Sequence, residues 1–341
     1  MTGIRGLVWL AALGAGAAGC GAHGQGDIDA GADAYQYADA AMRDPTGSHY
    51  NFVIDGITMP RNGTEAESLG LDIDLDGEVD NALGAIVTAF NAGGTDVNDV
   101  VQGQIDRGEI ILLADVQATA LTDARDVGFW AWKGADANPP PCLDEFDTVC
   151  RHHLAGDGTF TVAAADPAAA LVVVDIDSGR LHGGPGTVTL EVPLGFVTTP
   201  LVLDLIGVRV DTTIGLTGMT DGRLAGAVTA DYVQASVLPQ LLVIMGEIVA
   251  ADCQGGVSPD CCVPDSQGEQ LINLFDLDGT CDLSMDDLQN STLLTNLLAP
   301  DLDLLDEEGF YVPNHDGVLD STSLGIGFHA VPAFYPLPTG I

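Results

Sequence analysis

Basic side chains are nearly absent from this sequence. Ten Lys and Arg residues stand against 50 Asp and Glu residues in 341, which gives a formal net charge of −40, and Lys133 is the only lysine. So few cations cannot neutralise a phosphate backbone, and this excludes nucleic-acid binding. Anionic lipid headgroups would repel the body of the protein as well, so membrane attachment must depend on a lipid anchor.

The N-terminal segment lacks a hydrophobic run long enough to span a bilayer. Arg5 is followed by a short apolar stretch from Leu7 to Leu13. The next segment, Ala17-Ala18-Gly19-Cys20, resembles the lipobox of bacterial lipoproteins, with Ala17 where Leu is commoner. The resemblance implies a signal peptide over residues 1–20, lipidation of Cys20, and a location in the cell envelope, at the outer membrane on its periplasmic or surface face. An ordinary secretory signal that happens to contain Cys is the alternative.

Cysteines are few, and their number fits export. If Cys20 carries lipid, six remain, and an even number pairs readily in an oxidising compartment. Cys142 and Cys150 stand apart from the rest and are expected to close their own loop. The other four are expected to form two bridges, with the adjacent pair bonded to different partners; they are Cys253, Cys261, Cys262 and Cys281. Zinc is a weaker interpretation, because the C-x₂-C spacing and a nearby His cluster are both missing.

The pattern of apolar residues predicts a mostly β fold. We expect a flexible tether over residues 21–47 and a single β-rich domain over residues 48–341, with a Cys-rich insert at 251–282. Between residues 158 and 228, β-branched runs alternate with turn signals, which favours a β-sandwich-like fold or a twisted antiparallel sheet, stapled by disulfides. A few flanking helices are predicted by 3.6-residue spacing, over residues 81–90, 97–107, 231–251 and 285–298.

Forty of the fifty acidic residues are Asp, a short side chain that favours turns and binds hard cations. Solvation in a saline habitat and specific cation sites both explain this bias. The most specific pattern is the segment from Asp72 to Asp80, where carboxylates at positions 1, 3, 5 and 9 surround Gly77 at position 6. The predicted ligands to Ca²⁺ are the side chains of Asp72, Asp74, Asp76 and Asp80 and the backbone carbonyl of Glu78.

This segment resembles the calcium loops of EF-hands, dockerin modules and thrombospondin type 3 repeats. The resemblance covers about a dozen residues and departs from the EF-hand at position 12, where Leu83 replaces the bidentate Glu. The closing ligand must therefore come from elsewhere, come from water, or be missing.

Two further segments repeat the pattern in weaker form. The second offers Asp276, Asp278 and Asp282 at positions 3, 5 and 9, but has Leu274 at position 1. The third offers Asn314, Asp316 and Asp320, with Val312 at position 1, and a plain Asp-Gly turn is its alternative reading. Three such loops in an exported acidic chain resemble uncharacterised lipoproteins of myxobacteria and their relatives, a likeness of composition that implies no activity.

Catalytic motifs are lacking. His182-Gly-Gly-Pro-Gly186 is similar to an oxyanion segment of α/β-hydrolases, but no G-x-S-x-G follows, so a hairpin turn is expected. Trp130 and Trp132 alternate on one strand and are expected to pack within the fold rather than form a sugar platform. The expected function is a lipid-anchored, calcium-binding envelope protein with a binding or structural role, its partner a polysaccharide or another envelope protein. An exported hydrolase with unidentified catalytic carboxylates is the alternative.

Overall fold

The computed structural model describes residues 45–91, 96–144, 146–163, 170–192, 201–253 and 260–338. They belong to one compact unit, Ala34–Ile341. The predicted signal peptide, Cys20 and the tether up to residue 44 lie outside the described residues. Of the described part, strands are the main element, so the predicted mostly β fold is confirmed.

The strands are antiparallel throughout. They are β1 (Ser48–Thr58), β2 (Leu112–Ala118), β3 (Ala124–Asn138), β4 (Thr159–Val162), β5 (Ala170–Asp177), β6 (Arg180–Gly186), β7 (Val188–Val192), β8 (Leu201–Gly215), β9 (Gly218–Thr229) and β10 (Ser321–Pro332). Eight of them form a closed ring in the order β2-β1-β10-β9-β8-β6-β5-β3, because β3 pairs again with β2. The sheet is therefore a barrel, with β4 added beside β3 and β7 beside β8.

Alternation along each strand fills the barrel with apolar side chains. On β2, Ala114 and Val116 join the largest buried cluster, while Leu113, the residue before Ala114, belongs to a different cluster on the outer side. The inner cluster draws residues from all eight ring strands, including Leu181 and Val210. A barrel of eight strands has an interior just wide enough for such side chains, so its centre is a packed core.

Two further buried clusters lie on the outer face of the barrel. In one of them, Val101 and Ile105 pack with Leu113 of β2, and the buried Trp130 and Trp132 of β3 stack with ring centroids 6.5 Å apart. The expectation that these two residues pack within the fold is confirmed, since both are at most 5% exposed. On the opposite side, Ile73 and Leu304 pack over Ala225 of β9. This second covered patch carries two of the three predicted calcium loops.

Eight α-helices are described. They are α1 (Gly63–Leu69), α2 (Leu83–Asn91), α3 (Val97–Asp106), α4 (Ala230–Tyr232), α5 (Leu238–Asp252), α6 (Gln267–Phe275), α7 (Met285–Asn290) and α8 (Thr292–Leu297). A π-helical stretch, Val233–Val237, joins α4 to α5, and Pro239 lies in the first turn of α5. The joined stretch Ala230–Asp252 has the length and apolar composition of a membrane span. Its buried residues, Leu241 among them, pack on the core of the barrel.

Three disulfides match the cysteine pattern. Cys142 bonds Cys150 within a short loop, as expected. The adjacent cysteines separate, since Cys262 bonds Cys253 and Cys261 bonds Cys281. The predicted turn at residues 183–184 is wrong: both glycines lie inside β6, where Gly183 pairs with Val174. Their positive φ angles make a bulge at close backbone approach instead of a reversal.

Candidate metal sites

The Asp72–Asp80 loop is fastened to the barrel at both ends. Leu71 and Asp80 form an antiparallel bridge, so the chain leaves and returns at one place. Between them Ile73 is fully buried in the cluster on the outer face of β8 and β9. Leu75 and Gly77 have positive φ angles, which turn the chain sharply around the acidic side chains.

Three carboxylates meet inside this loop. Asp72, Asp74 and Asp80 each offer an oxygen that lies within 4.8 Å of the others. Each also accepts one backbone hydrogen bond, from the N–H groups of Gly77 (3.1 Å), Asp76 (3.1 Å) and Ile73 (2.7 Å) respectively. The Oδ1 atom of Asp72 is buried without a hydrogen-bond partner in the described part of the chain. The loop thus holds three negative groups with few donors between them.

The charges in this loop oppose one another. Burial raises the pKa of Asp80 to about 6, and repulsion from Asp74, Asp76 and Asp301 adds to the rise. Burial also raises the pKa of Asp74, which is 7% exposed, and the neighbouring carboxylates of Asp76 and Asp72 act in the same direction. Both shifts mean that the folded protein holds these carboxylates ionised at an electrostatic cost, which a cation between them would relieve.

The two other predicted members of the loop lie at its edge. The Oδ1 atom of Asp76 accepts a hydrogen bond from the Glu78 N–H at 2.7 Å, and neither residue belongs to the close group of carboxylates. Glu78, which is predicted to act through its backbone carbonyl, has an exposed side chain. Leu83, at position 12, is the first residue of α2.

The second loop gathers a different set from the predicted one. Asp276 and Asp278 lie within 4.8 Å of Asp287, and Asp282 is not a member of this group. Asp282 instead accepts a hydrogen bond from the adjacent Leu283 N–H. Asp287 follows Ser284, the first residue of a capping box on α7. That Ser-x-x-Asp pattern is the signal in the sequence that identifies Asp287 as a residue folded back toward the loop.

Protein donors already satisfy the second loop. Asp276 accepts hydrogen bonds from the N–H groups of Gly279, Thr280 and Cys281. Burial alone would raise the pKa of Asp287, but the hydrogen bonds from Ser284 and from the Leu277 N–H outweigh it and lower the pKa below its ordinary value.

The third loop packs against the first. The Asn314 side-chain amide donates to the Asp74 carbonyl oxygen at 2.9 Å, and the Tyr311 hydroxyl donates to that of Ile73 at 3.0 Å. Asp316 accepts from the Val318 N–H, and Asp320 accepts from the Leu305 N–H, both at 2.8 Å. Of the three predicted ligands only Asp316 and Asp320 are carboxylates, and neither belongs to a close group of three acidic, His or Cys residues in the described part of the chain.

A histidine–carboxylate pair lies on the other side of the barrel. The Nδ1 atom of His49 is 2.7 Å from Oδ2 of Asp115, a fully buried residue of β2 whose pKa is raised by burial. His49 is partly exposed, and it lines a groove of about 630 Å³ with Tyr50, Phe160 and Tyr335. No local pattern in the sequence predicts this pair, because the two residues are 66 positions apart and meet only through the pairing of β1 with β2.

Comparison with known proteins adds no relative to these observations. No protein-family model matches the chain, and no similar curated protein or solved structure was found. The candidate sites are therefore interpreted from their own geometry.

Proposed function

We propose that the chain is a lipid-anchored, calcium-binding protein of the cell envelope, and that the Asp72–Asp80 loop is its principal cation site. The observation that carries this proposal is the convergence of Asp72, Asp74 and Asp80 within 4.8 Å in a loop with few hydrogen-bond donors. Ca²⁺ prefers six to eight oxygen ligands in a flexible arrangement. Three carboxylates, backbone carbonyls and water supply that kind of shell.

The role that follows is structural or supports binding. An ion in this loop would hold Asp72 and Asp80, the two ends of a segment packed on the barrel through Ile73. Calcium would thereby fix a surface formed by the first and third loops. The expected partner is a polysaccharide or another envelope protein, and the membrane is reached through lipid on Cys20.

Thermal unfolding tests the cation site. We would purify the exported protein with its native N-terminal processing and its disulfides intact, and unfold it in Ca²⁺, Mg²⁺ or EDTA at one fixed, high ionic strength. Ions that bind only the native state raise the midpoint by mass action. A midpoint that is higher in Ca²⁺ than in Mg²⁺ or EDTA is the expected result. Equal midpoints in Ca²⁺ and EDTA would overturn the calcium proposal.

Lipidation requires its own test. Cells that produce the protein would be labelled with a radioactive fatty acid, beside cells that produce a Cys20→Ala variant. We expect label in the unaltered protein and none in the variant. Equal labelling, or none in either, would contradict lipidation at Cys20 and leave an ordinary exported protein.

The alternative is an exported hydrolase, and the His49–Asp115 pair favours it. A buried carboxylate bonded to Nδ1 orients an imidazole so that Nε2 faces a ligand, which is an arrangement used in general acid–base catalysis. Turnover on ester or polysaccharide panels that disappears in His49→Gln, while the unfolding midpoint stays the same, would support this alternative. Absence of turnover in the unaltered protein would count against it.

A further inference from the structure

The segment before the third loop contains a buried carboxylate. Asp303 is only 4% exposed, and its neighbours Leu302 and Leu304 pack in the cluster on the outer face of β8 and β9. The chain then turns back through a small hairpin, closed by a bridge between Leu305 and Tyr311, before it enters the third loop. Asp303 is thereby placed directly against residues that follow it by more than ten positions.

One oxygen of Asp303 has no partner. Its Oδ2 atom accepts hydrogen bonds from the N–H groups of Asp316 and Gly317, which points the carboxylate into the third loop. Its Oδ1 atom is buried and has no hydrogen-bond partner among the described residues. Burial of an unpaired oxygen of a charged group is costly. An oxygen held in this way is suited to coordinate a cation.

The first loop contains the same arrangement. The Oδ2 atom of Asp72 accepts from the N–H of Gly77, the glycine at position 6, and its Oδ1 atom is likewise buried without a partner. Ile73 and Leu304, which follow Asp72 and Asp303, are each fully buried. By its hydrogen bonds and burial, Asp303 therefore corresponds to Asp72 at position 1. Asp303 lies outside the continuous segment that forms the rest of the third loop.

The carboxylate at position 9 completes the parallel. In the first loop, Asp80 accepts from the N–H of Ile73, the residue after Asp72. In the third, Asp320 accepts from the N–H groups of Leu304 and Leu305, which follow Asp303. At position 3 the first loop has Asp74 and the third has Asn314, a neutral oxygen ligand.

We propose that Asp303, Asn314 and Asp320 form a second divalent-cation site, which lies in the third loop and not in the second. Asp303 occupies position 1, which Val312 cannot fill. Asp316 stands at the edge of this site, as Asp76 does at the edge of the first. The site takes Ca²⁺ because every ligand is an oxygen, and this choice of ion rests on the proposed function. Two carboxylates and one amide carry less charge than three carboxylates, so the second site binds the ion more weakly than the first.

The test counts bound ions by equilibrium dialysis with radioactive Ca²⁺, and it uses the exported full-length mature protein. Three variants are compared with the unaltered chain: Asp303→Asn, Asp72→Asn, and Glu308→Gln as a control that removes one exposed charge from the same hairpin. We expect Asp303→Asn and Asp72→Asn each to lose one ion per chain, and the control to lose none. Full binding in Asp303→Asn would overturn the second site.

The outcomes separate this site from the first. Loss of an ion in Asp303→Asn with none in Asp72→Asn would support the second site while the first fails. If Asp303→Asn does not fold, Asn314→Gly replaces it, because Gly keeps the positive φ of 56° at this exposed position and removes the ligand. Retention of every ion in Asn314→Gly would then overturn the proposal.

Discussion

The first and second acidic loops differ in how their carboxylates are satisfied. Each brings three Asp side chains within 4.8 Å. In the first, Asp74 and Asp80 have raised pKa values, whereas in the second the pKa of Asp287 is lowered. The cause is the supply of donors, since Asp276 alone accepts from three backbone N–H groups in the second loop.

On the proposed assignment, this difference separates an acidic turn, the second loop, from a cation site, the first. In the second loop, backbone and hydroxyl donors leave no buried oxygen of Asp276, Asp278 or Asp287 unpaired, so an ion has little repulsion to relieve there. Where burial and repulsion raise the pKa values of the carboxylates, a bound ion takes the place of the missing hydrogen-bond donors. We therefore expect Ca²⁺ to stabilise the first loop more than the second, although the two look alike in the sequence.

The largest expected effect concerns the attachment of the first loop to the barrel. Ile73→Ala removes a fully buried side chain, and such truncations cost about 2–5 kcal/mol of unfolding free energy. Leu75→Ala, two residues away, is the matched control, because Leu75 is 61% exposed and should cost little. Denaturant unfolding in EDTA measures both. Equal losses in the two variants would mean that the loop is not fastened through Ile73.

The second loop depends on a disulfide where the first depends on packing. Replacing both Cys261 and Cys281 by Ala opens a closed loop of 20 residues, which should cost about 3 kcal/mol by loss of the constraint on the unfolded chain. Denaturant unfolding in EDTA, as for Ile73→Ala, measures this loss of unfolding free energy. The rise of the midpoint with Ca²⁺ should persist in this double variant. Its disappearance would place the main cation site in the second loop.

The sequence predicted the contiguous features well. The Asp72–Asp80 pattern converges because its predicted ligands lie within nine residues, so local chain geometry alone brings Asp72, Asp74 and Asp80 together. The β-branched runs and turn signals predicted the strands for the same reason, since they too are local patterns in the sequence. The Cys142–Cys150 bridge followed from short spacing, and the separate partners of Cys261 and Cys262 followed from adjacency.

The features that the sequence missed depend on distant segments. Closure of the barrel requires β2 to pair with both β1 and β3, and nothing local shows this. Asp303 meets the third loop only after an intervening hairpin, and His49 meets Asp115 only across paired strands. Asp287 replaced Asp282 in the second loop because α7 folds its first turn back toward Leu277.

Matched substitutions sharpen the comparison of the two loops. Asp74→Asn removes the negative charge of one predicted ligand in the first loop, and Asp278→Asn removes an exposed charge from the second. A site filled at a hundred times its dissociation constant adds about 2.7 kcal/mol of stability. We expect Asp74→Asn to abolish most of the gain between EDTA and Ca²⁺, and Asp278→Asn to keep most of it. The reverse ranking would refute the view that unmet carboxylates mark the stronger site.

The smallest expected effect is a dependence on pH in EDTA. The pKa of Asp80 is about 6 in the folded protein and near 4 in the unfolded chain. Between these values the folded state holds the proton and the unfolded state does not, so Asp80 makes stability rise as the pH falls from about 6 to 4. The full shift would correspond to about 3 kcal/mol, and solvent screening at this half-buried group keeps the contribution well below that value.

Asp80→Asn isolates that contribution, since the amide oxygen still accepts from the Ile73 N–H and the charge is gone. Unfolding free energies of the variant should depend less on pH in this window than those of the unaltered protein. In excess Ca²⁺, the unaltered protein should instead lose stability as the pH falls through this window, because the ion requires the ionised carboxylate and competes with the proton. Identical profiles for both proteins in EDTA would show that Asp80 is not held at a raised pKa. The first loop would then be as well satisfied by its own donors as the second.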